Sequence, residues 1–237
     1  MSKKNKVNTS YKNEALVSLI KNPNQPLVVD ANFFIPPDRS KENKKIKPIH
    51  FKSFKSIWLD NLIDTFKPII IHEAVYEEFQ TKDVKNLVDE NINKKPPFII
   101  IVKDSDLNKN EELIRKTIEE KISKHTQYEP VLDNKDDRGE VKSLSYIAVK
   151  NLLYFCSQDA NSIRLIEEAE KLDTNLESVS AIRMYEILYY FIINNIGNKD
   201  LLRVLYKYMY YSTNSDKNIN PSWIEFKESM DKLYSNN

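Results

Sequence analysis

Two aspartates occupy positions in this sequence where a folded chain could use them for chemistry. Asp30 directly follows a short apolar run, and Asp159 follows another such run, YFCS, after a single glutamine. If both runs are strands of one parallel sheet, their carboxyl ends meet at the same edge, and the two carboxylates meet there too. Buried carboxylates that share a pocket repel one another, which costs several kcal/mol unless a cation joins them. The pattern therefore predicts a site for Mg²⁺ or Mn²⁺, which bind oxygen ligands.

Two glutamates are predicted to join this pocket because of their position around their helices. Glu78 shares a helical face with the apolar residues Val75 and Phe79. Glu140 precedes Leu144 by four residues, which places both on the same side of a helix. We expect both carboxylates to point inward. For Glu78, a lysine partner or a different helical phase would also account for an acid at this place.

The acids also have structural interpretations that need no metal. Asp30 and Asn32 could form an Asx-turn that closes the strand, and Asp159 could cap the helix that follows it. Asp137 lies three residues before Glu140, the spacing of a capping box, in which both side chains would bind backbone N–H groups. The sequence leaves these alternatives open.

The elements that must position the acids are predicted to alternate between strand and helix. Short runs of continuous apolar residues predict strands at 26–30, 67–72, 96–102, 154–157 and 176–181. Apolar residues at helical intervals predict helices at 14–20, 54–66, 73–92, 110–126, 136–153, 159–172 and 182–195. Continuous apolar strands separated by helices indicate a parallel sheet covered on both faces. The predicted fold class is α/β, a three-layer sandwich with a mostly parallel central sheet of about five strands, extended by C-terminal helices.

Three segments are predicted along the chain. Residues 1–24 are rich in Lys, Asn and Ser and contain one short helical pattern, which indicates a flexible leader. Residues 25–197 hold the alternating strands and helices of the main domain. Residues 198–237 form the helical C-terminal extension.

Composition excludes several classes of enzyme. The chain has only two glycines, Gly139 and Gly197, whereas a P-loop or a dinucleotide fingerprint needs several. Its three histidines are not spaced as paired metal ligands, and its one cysteine, Cys156, lies in an apolar run typical of an inert core thiol. No apolar run approaches the length of a membrane helix, and no secretory leader is evident, so we predict a cytoplasmic protein.

The net charge is +1, so the chain as a whole does not attract nucleic acid, and any binding surface must be a local group of residues. Five lysines after the first strand could contact phosphates, or could belong to a solvated loop. They are Lys44, Lys45, Lys47, Lys52 and Lys55. Four tyrosines near the C-terminus could stack on bases, although core packing is favoured for tyrosines at helical spacing. They are Tyr206, Tyr208, Tyr210 and Tyr211.

The order and spacing of the four acids resemble those of the PIN-domain nucleases. The motifs that match the family, in chain order, are VVDANFF with Asp30, IIIHEAVYEEF with Glu78, DDRGEVKSLSYIAV with Glu140 and YFCSQDANSIRLI with Asp159. The resemblance covers roughly residues 26–195. The lysine-rich insertion after the first strand and the helices after about residue 197 depart from the family pattern.

The resemblance implies a PIN-like fold and a metal-dependent endonuclease that cleaves single-stranded RNA. Asp30, Glu140 and Asp159 would be the metal ligands and Glu78 a further catalytic acid, with Mg²⁺ or Mn²⁺ activating the attacking water. Asn32 would orient Asp30. Asp137, or its neighbour Asp136, could add a ligand. A toxin or defence role, an inhibitory antitoxin-like partner and a homodimer are further expectations.

Other functions stay open beside this one. A PIN-like fold could serve as a catalytically silent module that binds nucleic acid or protein, or the substrate could be DNA, since the residues themselves do not separate the two. A phosphatase with Asp30 as the phosphorylated nucleophile would want a second aspartate at position 32, where the chain has Asn32. We therefore discount the phosphatase.

Overall fold

The structure is a computed structural model that describes residues 6–40 and 42–235. The chain forms two compact units, which are described separately. The second unit, Asn24–Ile35 with Phe66–Ala181, holds the sheet up to Ala181 and all four candidate acids. The first unit takes Pro36–Thr65, the chain from Ile182 onward and the residues before Asn24. This grouping does not test the predicted boundaries at residues 24 and 197, which stay predictions.

The second unit is built on a sheet of five parallel strands flanked by helices, which confirms the predicted α/β fold class. The strands are β1 (Leu27–Val29), β2 (Ile69–His72), β3 (Ile99–Val102), β4 (Tyr154–Cys156) and β5 (Ser180–Ile182). Their order across the sheet is β3-β2-β1-β4-β5. All five predicted strands are present, although the last begins at Ser180 rather than at Leu176.

The central strand β1 brings Asp30 to the carboxyl edge of the sheet. It pairs in parallel with β2 on one side and with β4 on the other, where Val29 lies opposite Cys156. The N–H of Asp30 continues this pairing by donating to the carbonyl of Cys156 at 3.0 Å. Asp30 therefore lies beside the loop that follows β4. The strand order changes direction around β1, which is where parallel sheets place their functional groups.

Six helices complete the second unit. They are α4 (Glu73–Glu78), α5 (Lys82–Ile92), α6 (Lys109–Ser123), α7 (Arg138–Lys150), α8 (Ala160–Glu167) and α9 (Ala169–Leu172). The single helices predicted at 73–92 and 159–172 are wrong, because each is two helices. The first break occurs where Phe79 takes an extended backbone conformation and buries its ring.

One face of the sheet packs against α7 through a shared apolar core. Val28, Ile70 and Phe155 occupy matching positions on three neighbouring strands, so their side chains lie on the same face. They belong to one buried cluster with Leu144 and Ile147 of α7. Each such side chain contributes about 1.5–3 kcal/mol when it is removed from water. This packing holds α7 against the strands that carry the acids.

Helices make up the first unit. They are α1 (Glu14–Lys21), α2 (Phe51–Phe54), α3 (Asp60–Thr65), α10 (Met184–Ile193), α11 (Lys199–Tyr210), α12 (Asn214–Ile219) and α13 (Trp223–Tyr234), with a π-helical turn at Lys55–Leu59 between α2 and α3. Over the described residues, none of the helices has the length and apolar character needed to cross a bilayer.

The core of the first unit is rich in aromatic rings. Trp58 packs against Phe191 with ring centroids 5.6 Å apart, and Tyr206 stacks on Phe226 at 4.5 Å. Tyr206 and Tyr210 are buried, which confirms that these tyrosines pack in the core. Within the predicted leader, the expected short helix is α1, and its buried side chains include Leu16. Residues 1–5 of that leader lie outside the described residues.

Candidate active site

Asp30 is a buried carboxylate held by three donors. Its side chain accepts from the N–H of Ala31 at 2.8 Å and from the hydroxyl of Ser157 at 2.9 Å. The amide of Asn32 also donates to it, so the predicted contact between these two residues is present. The bond to Ala31 caps a short 3₁₀ turn, whereas the Asx-turn expected for Asp30 would use the N–H two residues further on. Both carboxylate oxygens therefore have a fixed direction.

Ser157 is the residue of this site that the sequence patterns missed. Its hydroxyl donates to Asp30 and accepts from the amide of Asn32 and from the N–H of Asp159, both at 3.0 Å. A hydroxyl offers one donor and two acceptor positions, and all three are used here. The side-chain oxygen (Oδ1) of Asn32 accepts from the N–H of Gln158 at 3.0 Å. Ser157 thus ties the end of β1 to the loop after β4. The one available signal was its position as the last residue of the strand predicted at 154–157.

Asp159 caps the helix that follows it. Its Oδ1 accepts from the N–H groups of Asn161 at 2.6 Å and Ser162 at 3.1 Å, so the capping interpretation of this residue is confirmed. No described residue donates to its Oδ2. The cap therefore uses one oxygen of Asp159 and leaves the other available to a further ligand.

Glu140 does not form the capping box that its spacing from Asp137 allowed. Asp137 adopts a left-handed conformation with φ of 55° and makes no capping hydrogen bond; its side chain instead accepts from the N–H of Gln127 at 2.8 Å. The Oε2 of Glu140 is buried and has no hydrogen-bond partner among the described residues. The capping alternative for Glu140 is therefore wrong.

The pocket around Glu140 is strongly unfavourable for negative charge. Burial, followed by the charges of Asp30 and Asp159, raises the pKa of Glu140 to about 9, and the nearby Ser162 hydroxyl opposes this shift. Burial also raises the pKa of Asp30 to about 7; the Ser157 hydrogen bond opposes this shift, and the charges of Glu78 and Asp159 add to it. None of Asp30, Glu140 and Asp159 forms an ion pair with a lysine or arginine of the described chain.

Glu78 is exposed as a whole residue, but its carboxylate is partly buried against α7 and its charge acts on Asp30. It is the last residue of α4, and its Oε1 accepts from the N–H of Gly139 in the first turn of α7, at 3.0 Å. A Cβ atom at Gly139 would lie 2.1 Å from this oxygen, so only glycine permits the contact. Burial of the carboxylate raises the pKa of Glu78, which the Gly139 hydrogen bond opposes. Sequence spacing did not reveal this pairing of α4 with α7.

The three predicted metal ligands do not form the most compact ligand group of the described chain. One set of three potential ligands has donor atoms that all lie within 4.8 Å of one another, and it consists of His72, Glu73 and Asp104. Asp30, Glu140 and Asp159 do not meet this criterion together. Binding of one ion by all three would therefore require their side chains to move closer.

The group at His72 is explained by hydrogen bonds and ion pairs. The Nδ1 of His72 accepts from the N–H of Ala74 at 3.2 Å, so its Nε2 carries the proton and faces Asp104 at 3.3 Å. Asp104 also lies 3.3 Å from the guanidinium of Arg115 and 3.8 Å from the ammonium of Lys142. Neither ring nitrogen has a free lone pair, and two cations already neutralise the acid. This group does not fit a metal.

The five lysines proposed to bind nucleic acid all belong to the first unit. Lys55 is neutralised by Asp60, with 2.6 Å between the ammonium and the carboxylate. Lys44, Lys45, Lys47 and Lys52 are exposed. Their contact with nucleic acid stays a prediction.

Comparison with known proteins returned no protein-family model, no curated protein and no solved structure that matches this chain. The resemblance to PIN-domain nucleases therefore rests on the acidic motifs and their order along the chain.

Proposed function

We propose that this protein is a divalent-metal-dependent endonuclease that hydrolyses single-stranded RNA. The observation that supports it best is the Oε2 of Glu140, a buried carboxylate oxygen without a partner. The charges of Asp30 and Asp159 act on the same group, and no cation of the described chain compensates them. A buried charge is tolerated only when it is paired, protonated or bound to a metal. A divalent cation would satisfy all three acids at once.

The donor set suits Mg²⁺ or Mn²⁺. Glu140 offers its unpartnered Oε2, Asp159 its Oδ2, and Asp30 a carboxylate whose direction is fixed, and all of these are hard oxygen ligands. When bound, such an ion supplies an activated water and neutralises charge on the scissile phosphate. No cysteine or histidine belongs to the set, which disfavours zinc.

The surrounding residues have separate tasks in this proposal. Asn32 and Ser157 hold the carboxylate of Asp30 in one orientation through their hydrogen bonds. Glu140 keeps its proton to unusually high pH in the metal-free chain, and it would release that proton when it becomes a ligand. The carboxylate of Glu78 stays bound to the N–H of Gly139 in the first turn of α7, where it would orient substrate rather than enter the buried pocket.

RNA as the substrate is supported by the family resemblance alone. The toxin or defence role, the antitoxin-like partner, the homodimer and the cytoplasmic location are likewise proposals without a structural observation of their own.

A second candidate is a catalytically silent module that binds nucleic acid or protein. It is favoured by the helix cap of Asp159, by the Glu78 contact at α7 and by the spread of the three acids beyond 4.8 Å. In that case the acids would stabilise the fold and no metal would be needed.

Cleavage of labelled nucleic acid separates these two candidates. Purified protein is mixed with end-labelled single-stranded RNA or DNA and Mn²⁺, with and without EDTA. We expect cleavage that EDTA stops and that Glu140→Gln or Asp159→Asn reduces by about a hundredfold or more. Glu120→Gln, an exposed glutamate on α6, is the matched control. Undiminished cleavage in both acid variants, or no cleavage at all, would favour the silent module.

A further inference from the structure

A cavity of about 360 Å³ opens in the second unit beside Glu78. Its apolar lining comes from Ile35 and Ala74, and its polar lining includes Gln80 and Lys135. This volume is within the range of small-ligand sites, about 300–1,000 Å³.

The cavity is close to Asp30 along the chain and through hydrogen bonds. The N–H of Ile35 donates to the carbonyl of Ala31 at 3.1 Å, so Ile35 follows Asp30 by one tight turn. Glu78, another lining residue, is bound to Gly139, the residue before Glu140. A group inside the cavity would therefore lie beside the two elements that carry Asp30 and Glu140.

The charges of the lining compensate one another. Arg138 pairs with Glu77 at 2.6 Å and with Asp133 at 2.9 Å, so its guanidinium is already neutralised by two carboxylates. The carboxylate of Glu78 adds further negative charge. A phosphate would therefore be poorly held inside, whereas a neutral, flat group would find both apolar surface and hydrogen-bonding groups.

Lys135 differs from Arg138 in having no ion-pair partner among the described residues. It is exposed and also lines the cavity. Its ammonium is therefore free to contact a phosphate outside the cavity while a neutral group occupies the interior.

We infer that this cavity holds the nucleobase of a nucleotide next to the bond that is cut. The inference rests on the proposed nuclease function and adds to it a specificity site. Ile35, whose side chain is partly exposed, contacts the flat face of the base, as apolar side chains do in pockets that hold a nucleobase. The Gln80 amide, which has both a donor and an acceptor, contacts the edge of the base. Lys135 binds the adjoining phosphate.

Equilibrium binding without metal tests this inference. Fluorescence anisotropy measures the Kd of short labelled single-stranded RNAs for the full chain in EDTA, where cleavage is stopped. We expect Ile35→Ser and Gln80→Ala each to weaken binding by about fivefold or more, as loss of a base contact does. The matched controls are Ile100→Ser and Gln127→Ala, which change exposed residues of the same unit that do not line the cavity.

A second arm removes the base instead of the side chain. RNAs that carry an abasic site at successive positions should include one position where wild-type binding weakens and where Ile35→Ser adds no further loss. Equal Kd values for the cavity variants and their controls, or no RNA binding at all, would overturn the inference. Circular dichroism of each variant verifies that it is folded.

The inference and the proposed function fail in different ways. If the cavity variants weaken RNA binding while wild-type protein with Mn²⁺ cuts nothing, the base site stands and the nuclease proposal is wrong. If the protein cuts RNA and both cavity variants bind and cut like their controls, the nuclease proposal stands and the base site is wrong.

Discussion

The Oε2 of Glu140 is buried and has no hydrogen-bond partner among the described residues. This leads to a prediction about stability. Glu140→Gln should raise the free energy of unfolding of the metal-free protein at pH 8 by a few kcal/mol, because the wild-type chain must protonate the Glu140 carboxyl when it folds at this pH, whereas an amide is neutral in both states. Urea denaturation in EDTA measures the change. Glu120→Gln, at an exposed position, should leave stability within about 0.5 kcal/mol of wild type. A destabilised Glu140→Gln variant would mean that the carboxylate has a favourable partner after all.

Asp30→Asn is a poorer test of the same repulsion. The carboxylate of Asp30 accepts from Asn32 and Ser157, and an amide nitrogen in place of one oxygen would face the amide of Asn32. Relief of charge and loss of hydrogen bonds would then oppose each other. Glu140 has no such bonds at Oε2, so its variant isolates the electrostatic effect.

The raised pKa values of Asp30 and Glu140 predict how stability depends on pH. Their ordinary values are 3.8 and 4.5, and in the folded chain they rise to about 7 and about 9. The folded state therefore holds these protons more tightly, and the stability they contribute is complete below about pH 4. It is lost as pH rises through the folded values, so metal-free protein should become less stable between about pH 4 and about pH 9.

Thermal unfolding in EDTA across this range measures the loss. Glu140→Gln should flatten the pH dependence, and a wild-type curve that rises towards pH 9 would contradict the raised pKa values of both acids.

Metal binding should offset the loss of stability that Asp30 and Glu140 cause in the metal-free protein at high pH. Adding Mg²⁺ or Mn²⁺ at pH 8 should raise the Tm of wild-type protein, because a ligand that binds only the folded state stabilises it. At 100 times the Kd, the gain is about 2.7 kcal/mol. The shift should be much smaller in Glu140→Gln. Equal shifts in the two proteins, measured by differential scanning fluorimetry, would place the metal elsewhere.

At the scale of elements, the contact between α4 and α7 depends on Gly139. Gly139→Ala should displace the carboxylate of Glu78, because the new Cβ would occupy the place of Oε1 while the flexible side chain can turn away. We expect cleavage to fall as far as in Glu78→Gln, with the free energy of unfolding within about 1 kcal/mol of wild type, since Ala favours a helix over Gly by about that amount.

The double variant provides the control. If Gly139→Ala acts only through Glu78, combining it with Glu78→Gln should reduce cleavage no further than either change alone. Additive losses would show that the glycine has a separate role.

At the scale of the whole molecule, the first unit is joined by an ion pair between distant parts of the chain. Arg39, which follows β1 along the chain, lies 2.8 Å from Asp216 of α12, and both side chains are nearly buried. Arg39→Met should lower the free energy of unfolding by about 3–5 kcal/mol, because the buried carboxylate of Asp216 would lose its cation. Arg203→Met, at an exposed arginine of α11, is the control in the same urea titration. Equal stability of the two variants would mean that the pair is dispensable.

The strands of this protein could be predicted because their signal is local. Four of them coincide with short, continuous apolar runs, whereas the stretch at 176–181 is interrupted by polar residues and its strand begins only at Ser180. The placement of Asp30 and Asp159 just beyond two such runs followed directly, since parallel strands end at a common edge. Helix breaks such as the one at Phe79 were missed because helical periodicity continues across them, while the backbone turns to bury a ring against residues far along the chain.

Local sequence patterns predicted which residues could contribute to a site, but they did not predict which atoms form hydrogen bonds with one another. Ser157 reaches Asp30 across 127 positions of sequence, and Glu78 reaches Gly139 across 61. The capping box at Asp137 had the correct spacing and did not form, because a left-handed backbone at that residue directs its side chain to Gln127. Hydrogen bonds require atoms within about 3 Å in a set direction. Such distances arise only when strands and helices pack. The sequence therefore predicted which acids belong to the pocket, whereas only the tertiary structure determined that the Oε2 of Glu140 is buried without a hydrogen-bond partner among the described residues.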